Sequence, residues 1–187
     1  MSGVKTANPP VSFADLERWP DDGRRYELYD GEVYVVPSPI ALHQIVLARL
    51  HLVFEDYTRA HGGIVLFAPL DIVLTEFDVV QPELLLFMRD RRHLVNPRQV
   101  TRHAPDLCVE ILSPSTAVND RGRKMQLLAR HGVREHWLVD PEAVSIEVYR
   151  LAGTRFALAS TAGAAESVRS PLLPELSLVP RSLVPDE

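Results

Sequence analysis

Three residues of this sequence are of the types that hold a hard cation and act on a polar bond: Glu83, Glu110 and Lys124. Glu83 follows Pro82 and opens the apolar run Leu84-Leu85-Leu86-Phe87. Glu110 lies inside Cys108-Val109-Glu110-Ile111-Leu112. An ionised carboxylate in an apolar strand is costly unless something compensates it. Two such groups on neighbouring strands would repel, so that either one stays protonated or a cation bridges them. Mg2+ takes hard oxygen ligands and keeps several waters, so two carboxylates and a backbone carbonyl suffice to hold it. Lys124 falls on the first turns of a following helix, from which its ammonium can reach back toward the strand ends. Taken singly, each residue has a plainer explanation, because a strand Glu is commonly salt-bridged and a helix Lys commonly solvated. Their order favours the metal site: an acid on one strand, an acid on the next, a Ser-Pro-Ser-Thr loop, then a basic helix.

Several further side chains could join such a site. His43 falls one residue off the apolar stripe of a long helix; it could face the cleft as a proton shuttle or phosphate contact, or lie on the helix surface. Glu32 is either a further acid near the metal or an exposed hairpin residue. Ser113 and Ser115 could donate to a phosphate, although serine before a helix ordinarily caps it.

The elements that must position these residues are legible from periodicity and turn chemistry. Residues 12–19 read as a short helix, with Ser12 as N-cap and Phe13, Leu16 and Trp19 on one face. Two β-prone runs, 26–29 and 32–36, flank Asp30-Gly31 and predict an N-terminal hairpin. Ser38-Pro39 reads as N-cap and N1 of a long helix. Its apolar stripe is Leu42, Val46, Leu50, Val53, Phe54 and Tyr57, and Gly62-Gly63 ends it. Strands are expected over 64–67 running on through 71–74, over 83–88 and over 107–112. The last two are nearly continuous apolar runs, as in strands covered on both faces. A second helix is expected over 120–131, capped by Asn119 or Asp120, with Gly132 as C′ residue. Strands should follow over 137–140, 145–151 and 156–159. The order predicts a mixed-sheet α/β domain rather than a regular βαβ repeat.

Composition sets the bounds. The 187 residues fit one domain spanning 1–187, and 46% apolar with 24% charged residues is ordinary for a globular chain. No stretch reaches the roughly 18 uninterrupted apolar residues of a membrane helix. Met1 to Pro10 has no apolar h-region, so the expected compartment is the cytoplasm. The single cysteine, Cys108, lies in an apolar run and reads as a buried, inert thiol. The net charge of −5 argues against a nucleic-acid binder, but residues 89–134 carry ten Lys and Arg against four Asp and Glu. That basic third either places positive charge near a polyanion or is scattered over solvated faces. There is no His-x-x-x-His pair, Gly-x-Ser-x-Gly elbow, P-loop or dinucleotide fingerprint.

The runs Val79-Val80-Gln81-Pro82-Glu83, Pro105-Asp106-Leu107-Cys108-Val109-Glu110-Ile111-Leu112-Ser113-Pro114-Ser115-Thr116, Asp120-Arg121-Gly122-Arg123-Lys124 and Gly132-Val133-Arg134-Glu135-His136-Trp137 together resemble the Uma-type putative restriction endonuclease family. Tyr26-Glu27-Leu28-Tyr29-Asp30-Gly31-Glu32 and Ser38-Pro39 with His43-Gln44 match it too. The resemblance covers about residues 12–151, with Glu110 to Thr116 its most specific part. It implies a restriction-endonuclease-like, PD-(D/E)xK fold: a central mixed sheet flanked by helices. It implies Mg2+, or Mn2+, held by Glu83, Glu110 and the carbonyl of Ile111, with Lys124 replacing the lysine usual at position 112, here Leu112. Glu83 stands where the first acid is usually Asp, and Leu128 where the helix often has Tyr. The implied activity is metal-dependent cleavage of DNA; for that reaction Arg121, Arg123 and Ser113 are candidate phosphate contacts. The alternative is a catalytically inactive member that binds nucleic acid or serves in assembly. By analogy of fold, the chain could form a homodimer.

Overall fold

The computed structural model describes residues 9–185. The expectation concerning a leader at residues 1–10 falls mostly outside them. The chain forms α1 (Phe13–Leu16), β1 (Arg25–Tyr29), β2 (Glu32–Val36), α2 (Ala41–His61), β3 (Ile64–Phe67), β4 (Ile72–Thr75), β5 (Asp78–Val80), β6 (Leu84–Phe87), β7 (Leu107–Ile111), α3 (Ala117–Asn119), α4 (Met125–Arg130), β8 (Glu135–Asp140), β9 (Ser145–Ala152) and β10 (Arg155–Ala162). It is a mixed α/β fold, as expected. The strands nevertheless make two sheets rather than one. The larger has the order β10-β9-β8-β7-β6-β3, and the smaller has β2-β1-β5-β4. Among the named strands of the described residues, only β7 and β8 pair in parallel, with residues 112–134 crossing between them.

The hairpin forms for the reason its sequence gives. Asp30 and Gly31 both take positive φ (51° and 76°), the primed turn whose twist matches the flanking strands. A Cβ at Gly31 would also lie 2.4 Å from Pro10 Cβ, so glycine is required there on two counts. The hairpin does not extend the main sheet; β1 pairs instead with β5. The expected strand over 64–74 is split. Residues 64–67 pair with β6 in the large sheet, whereas 72–75 pair with β5 in the small one. Pro69 lies between the two, where a ladder donor is missing.

Layering follows from side-chain alternation. Leu84, Leu86, Leu107, Val109 and Ile111 face α2, where Val46, Leu50 and Phe54 meet them, with Phe54 against Trp137 at 5.3 Å. Leu85, Phe87 and Cys108 face the other way, onto Leu127, Leu128 and the small sheet. Phe13 and α1 cover the far side of the small sheet at Leu28, Val73 and Val79. Each fully buried Leu or Phe contributes on the order of 2 kcal/mol by its burial. The C-terminal segment, which has no readable periodicity, returns to the α2 side and buries Val168, Leu173, Leu178 and Leu183.

Two helix starts differ from expectation. Helix α2 begins at Ala41, with Ile40 as an N-cap that makes no side-chain bond; residues 37–40 stay outside the helix, and Ser38 does not cap it. The second helix runs from Ala117 to Arg130, through a π-helical turn at Asp120–Lys124. Asn119 does not cap it; its amide donates to the Tyr29 hydroxyl at 2.9 Å.

Candidate metal centre

The site lies where the chain crosses from one sheet to the other. Strand β5 ends at Val80 in the small sheet, and β6 starts at Leu84 in the large one. Gln81, Pro82 and Glu83 make the crossing. The antiparallel register of β6 and β7 pairs Leu84 with Val109 and Leu85 with Cys108. One step further along this register, Glu83 faces Glu110. Such opposed residues on one face have Cβ atoms about 5 Å apart. Both carboxylates are buried, at 7% and 3% exposure.

Lys124 comes to the same place from the helical segment. Its π-helical turn carries Asp120 and Lys124 inward together, and both are buried. Such turns recur at functional sites because the added residue re-aims side chains. Lys124 Nζ lies 2.8 Å from Glu110 Oε1 and 2.9 Å from Glu27 Oε1. Glu27, on β1, also accepts from the Gln81 backbone N–H at 2.6 Å and from the Tyr29 hydroxyl in a very short hydrogen bond.

Glu27, Glu83, Glu110, Asp120, Lys124, His43, Gln81 and Ser113 line one cavity of about 220 Å3, which residues 37–40 also line. Its electrostatics are unbalanced. Burial pushes the Glu110 carboxyl well above the ordinary carboxylate range, against the pull of Lys124 and with added repulsion from Asp120 and Glu27. Burial likewise raises Asp120. Burial alone would lower Lys124, but Glu110 and Glu27 hold its ammonium protonated, well above the usual lysine value. One lysine is thus set among four carboxylates.

Glu83 is less well compensated than Glu110. Its Oε1 lies 3.6 Å from His43 Nε2 and 3.7 Å from Arg25 Nη2, beyond hydrogen-bonding distance in both cases. Burial depresses the His43 imidazole more than Glu83 raises it, and the Ile111 carbonyl also faces the ring. His43 Nδ1 has no partner among the described residues. His43 therefore lies in the cavity wall, 8% exposed, rather than on the helix surface.

This donor set fits a hard divalent cation: buried carboxylate oxygens in excess of positive charge, and a carbonyl at Ile111. Among the described residues, no three His, Cys, Asp or Glu side chains already converge as ligands. An ion here would be held by two carboxylates, a carbonyl and water, as Mg2+ commonly is.

Other sequence candidates lie elsewhere. Glu32 is exposed and ion-paired to Arg123, away from the cavity. Arg123 also donates to the Tyr29 carbonyl at 2.7 Å, and Arg121 pairs with Glu147 at 2.5 Å. Ser113 does line the cavity, its hydroxyl 3.0 Å from those of Ser115 and Thr116. Seven of the ten cations in residues 89–134 are paired with acids. Arg89, Arg92 and Arg98, which make no such pair among the described residues, follow the far end of β6. Arg89 is six residues from Glu83, about 20 Å along an extended chain. Sequence reasoning passed over Glu27, Gln81 and Asp120 as site residues. Glu27 lies two residues before Tyr29, on the same face of a β-prone run, and that placement is the available signal.

Among the described residues, no helix is long and apolar enough to cross a membrane. A solved structure from Anabaena variabilis, described as a putative nuclease, superposes with a TM-score of 0.77 over 93% of this chain and 97% of its own, at 20% identity. That likeness concerns the fold. An uncharacterized protein of Synechocystis sp. is 27% identical over 144 residues, covering 75% of this chain and 74% of that protein. The model of the Uma2 family, described as "Putative restriction endonuclease", matches residues 13–181, which takes in both sheets, the cavity and most of the C-terminal segment. This chain belongs to the Uma2 family.

Proposed function

We propose that this chain is a divalent-metal-dependent endonuclease that hydrolyses phosphodiester bonds in DNA, working at the cavity between the two sheets. The observation that carries this reading is the meeting of the buried side chains of Glu83, Glu110 and Lys124 on one cavity where acidic groups outnumber basic ones. Glu83, Glu110 and the Ile111 carbonyl would hold Mg2+ or Mn2+. When bound, the ion would ease deprotonation of water and stabilise negative charge on the scissile phosphate.

The chain's own groups would do the rest. The Lys124 ammonium, kept protonated by its two carboxylates, donates to a non-bridging phosphate oxygen and offsets charge as the pentacovalent state forms. Ser113 donates its hydroxyl to a second phosphate oxygen. The neutral imidazole of His43 stands ready to accept a proton. Arg121 and Arg123 would have to exchange Glu147 and Glu32 for phosphates, which suits contacts to the flanking backbone rather than the scissile group.

A second reading has one observation in its favour. The cations of residues 89–134 are mostly ion-paired, which leaves little free positive charge for a polyanion. On that reading the chain is a non-catalytic binding or assembly module. Isothermal titration and plasmid nicking separate the two. The enzyme reading expects Mg2+ or Mn2+ to bind wild type but not Glu110→Ala, and nicking that Lys124→Ala loses. DNA binding without cleavage under any metal would favour the module.

A further inference from the structure

Glu110 cannot serve fully as a metal ligand and as the sole counter-charge of Lys124. An ammonium as buried as Lys124, 3% exposed, is costly unless an anion stays beside it. If Glu110 turns its charge toward a cation, Lys124 needs a second partner that does not move. Glu27 has the geometry for that task. Its Oε1 accepts from the Gln81 backbone N–H at 2.6 Å, and its Oε2 takes the Tyr29 hydroxyl. Tyr29 is itself held by Asn119 at 2.9 Å, from the segment that also carries Lys124. The carboxylate is thereby fixed from its own strand β1, from the residue that follows β5 and, through Tyr29, from one helical segment, and its remaining contact, at 2.9 Å, is Lys124 Nζ.

We propose that Glu27 is the positioning residue of this site: a carboxylate fixed on the small sheet that holds the Lys124 ammonium over the cavity while Glu110, on the large sheet, is engaged elsewhere. This rests on the endonuclease reading of the cavity. Glu27 touches neither the substrate nor the ion; it acts through Lys124. The arrangement also explains why the lysine can sit on a helix rather than on β7: its aim is set from the facing sheet, not from its own backbone.

Two measurements on the full chain test it. The first needs no metal or substrate: heteronuclear NMR of the lysine side chains, with Lys124→Met assigning the resonance. Wild type should show a slowly exchanging Lys124 ammonium signal, which Glu27→Gln broadens or loses and Glu27→Asp partly restores. The second is the kinetics of nicking with Mn2+. Glu27→Gln should lower kcat by about 10²-fold while KM and the Mn2+ dissociation constant stay near wild type. Tyr29→Phe, which loosens Glu27 without removing its charge, should give a smaller loss of kcat. An unchanged Lys124 resonance in a folded Glu27→Gln protein overturns the proposal, as does a loss of Mn2+ affinity matching the loss of rate, which would make Glu27 a ligand. If wild type neither binds Mn2+ nor nicks DNA, the endonuclease reading fails, and the ammonium signal still decides whether Glu27 holds Lys124.

Discussion

His43 Nε2 lies 3.6 Å from Glu83 Oε1, which sets the first turn of α2 beside the carboxylate that immediately precedes β6. Burial lowers the proton affinity of this imidazole more than Glu83 raises it, so the ring is neutral at neutral pH, with Nδ1 unpartnered among the described residues. A neutral imidazole beside a reacting phosphate can accept a proton. We expect His43→Ala to slow metal-dependent nicking by about 10²-fold with little change in metal affinity. Titration calorimetry beside the nicking assay checks this. An equal fall in affinity would show that His43 supports Glu83 rather than the chemistry.

The buried charges predict a graded stability response. Lys124→Ala leaves Glu27 and Glu110 buried without their shared cation, a change that costs about 3–5 kcal/mol. Replacing all three residues at once, as Lys124→Met with Glu27→Gln and Glu110→Gln, should cost less than the single change, because no uncompensated charge remains. Urea denaturation of the two proteins gives the comparison. A triple variant less stable than the single one would mean that the network adds net stability.

His136 predicts the acid limb of stability. It is fully buried and stacks on Phe156; the backbone carbonyls of Cys108 and Asp120 face the ring, but neither nitrogen makes a well-aligned hydrogen bond among the described residues. Burial, helped by repulsion from Lys124, lowers its pKa to about 3. The unfolded chain takes up this proton near pH 6.5, and the native state does not until about pH 3. This contribution to stability is therefore whole above about pH 6.5 and declines as pH falls, by about 1.4 kcal/mol per unit, levelling off near the native pKa. Denaturation midpoints between pH 7 and pH 4 should lose that slope in His136→Phe. An unaltered slope would place the acid sensitivity at other groups.

Glu135 predicts how the C-terminal segment is held. Its buried carboxylate accepts from Trp137 Nε1 at 3.1 Å, the Ser170 hydroxyl at 2.7 Å and the Leu172 N–H at 2.7 Å. Glu135→Ala leaves a buried indole N–H and a backbone N–H without partners, a loss of about 2–3 kcal/mol. Residues 163–185 should then be cut by protease well before the sheets are. Cleavage spread evenly over the chain would show that apolar burial of Leu173 and Leu178 alone fixes the segment.

Much of the architecture is readable from local rules. Asp30-Gly31 specifies a primed turn, because few residue pairs accept positive φ twice in succession. The apolar stripe from Val46 to Tyr57 specifies which side of α2 meets the sheet. The apolar runs of β6 and β7 signal strands covered on both faces, and both are. Local rules fail where partners are distant. Residues 64–74 read as one strand because Pro69, though it interrupts the ladder, does not say that the two halves pair with different sheets. Ser38 carries a capping side chain, yet residues 37–40 remain outside the helix against the cavity. The basic third of the chain reads as a patch because the acids that pair with it, such as Glu76 and Glu147, are far away in sequence.

The candidate site divides along the same line. Residue type and order mark Glu83 and Glu110 as candidates, because a carboxylate in an apolar strand is costly, and Lys124 joins them as the lysine of the following helix. The inward placement of His43, the pairing of Arg123 with Glu32 and the grip of Glu27 on Lys124 depend on how the small sheet docks against the large one. That docking is set by the packing of Tyr29, Val80, Leu85 and Leu128, whose apolar surfaces carry no address in the sequence. Burial is non-directional, so a sequence announces which side chains must leave water, and only the folded chain decides which charges they bring together.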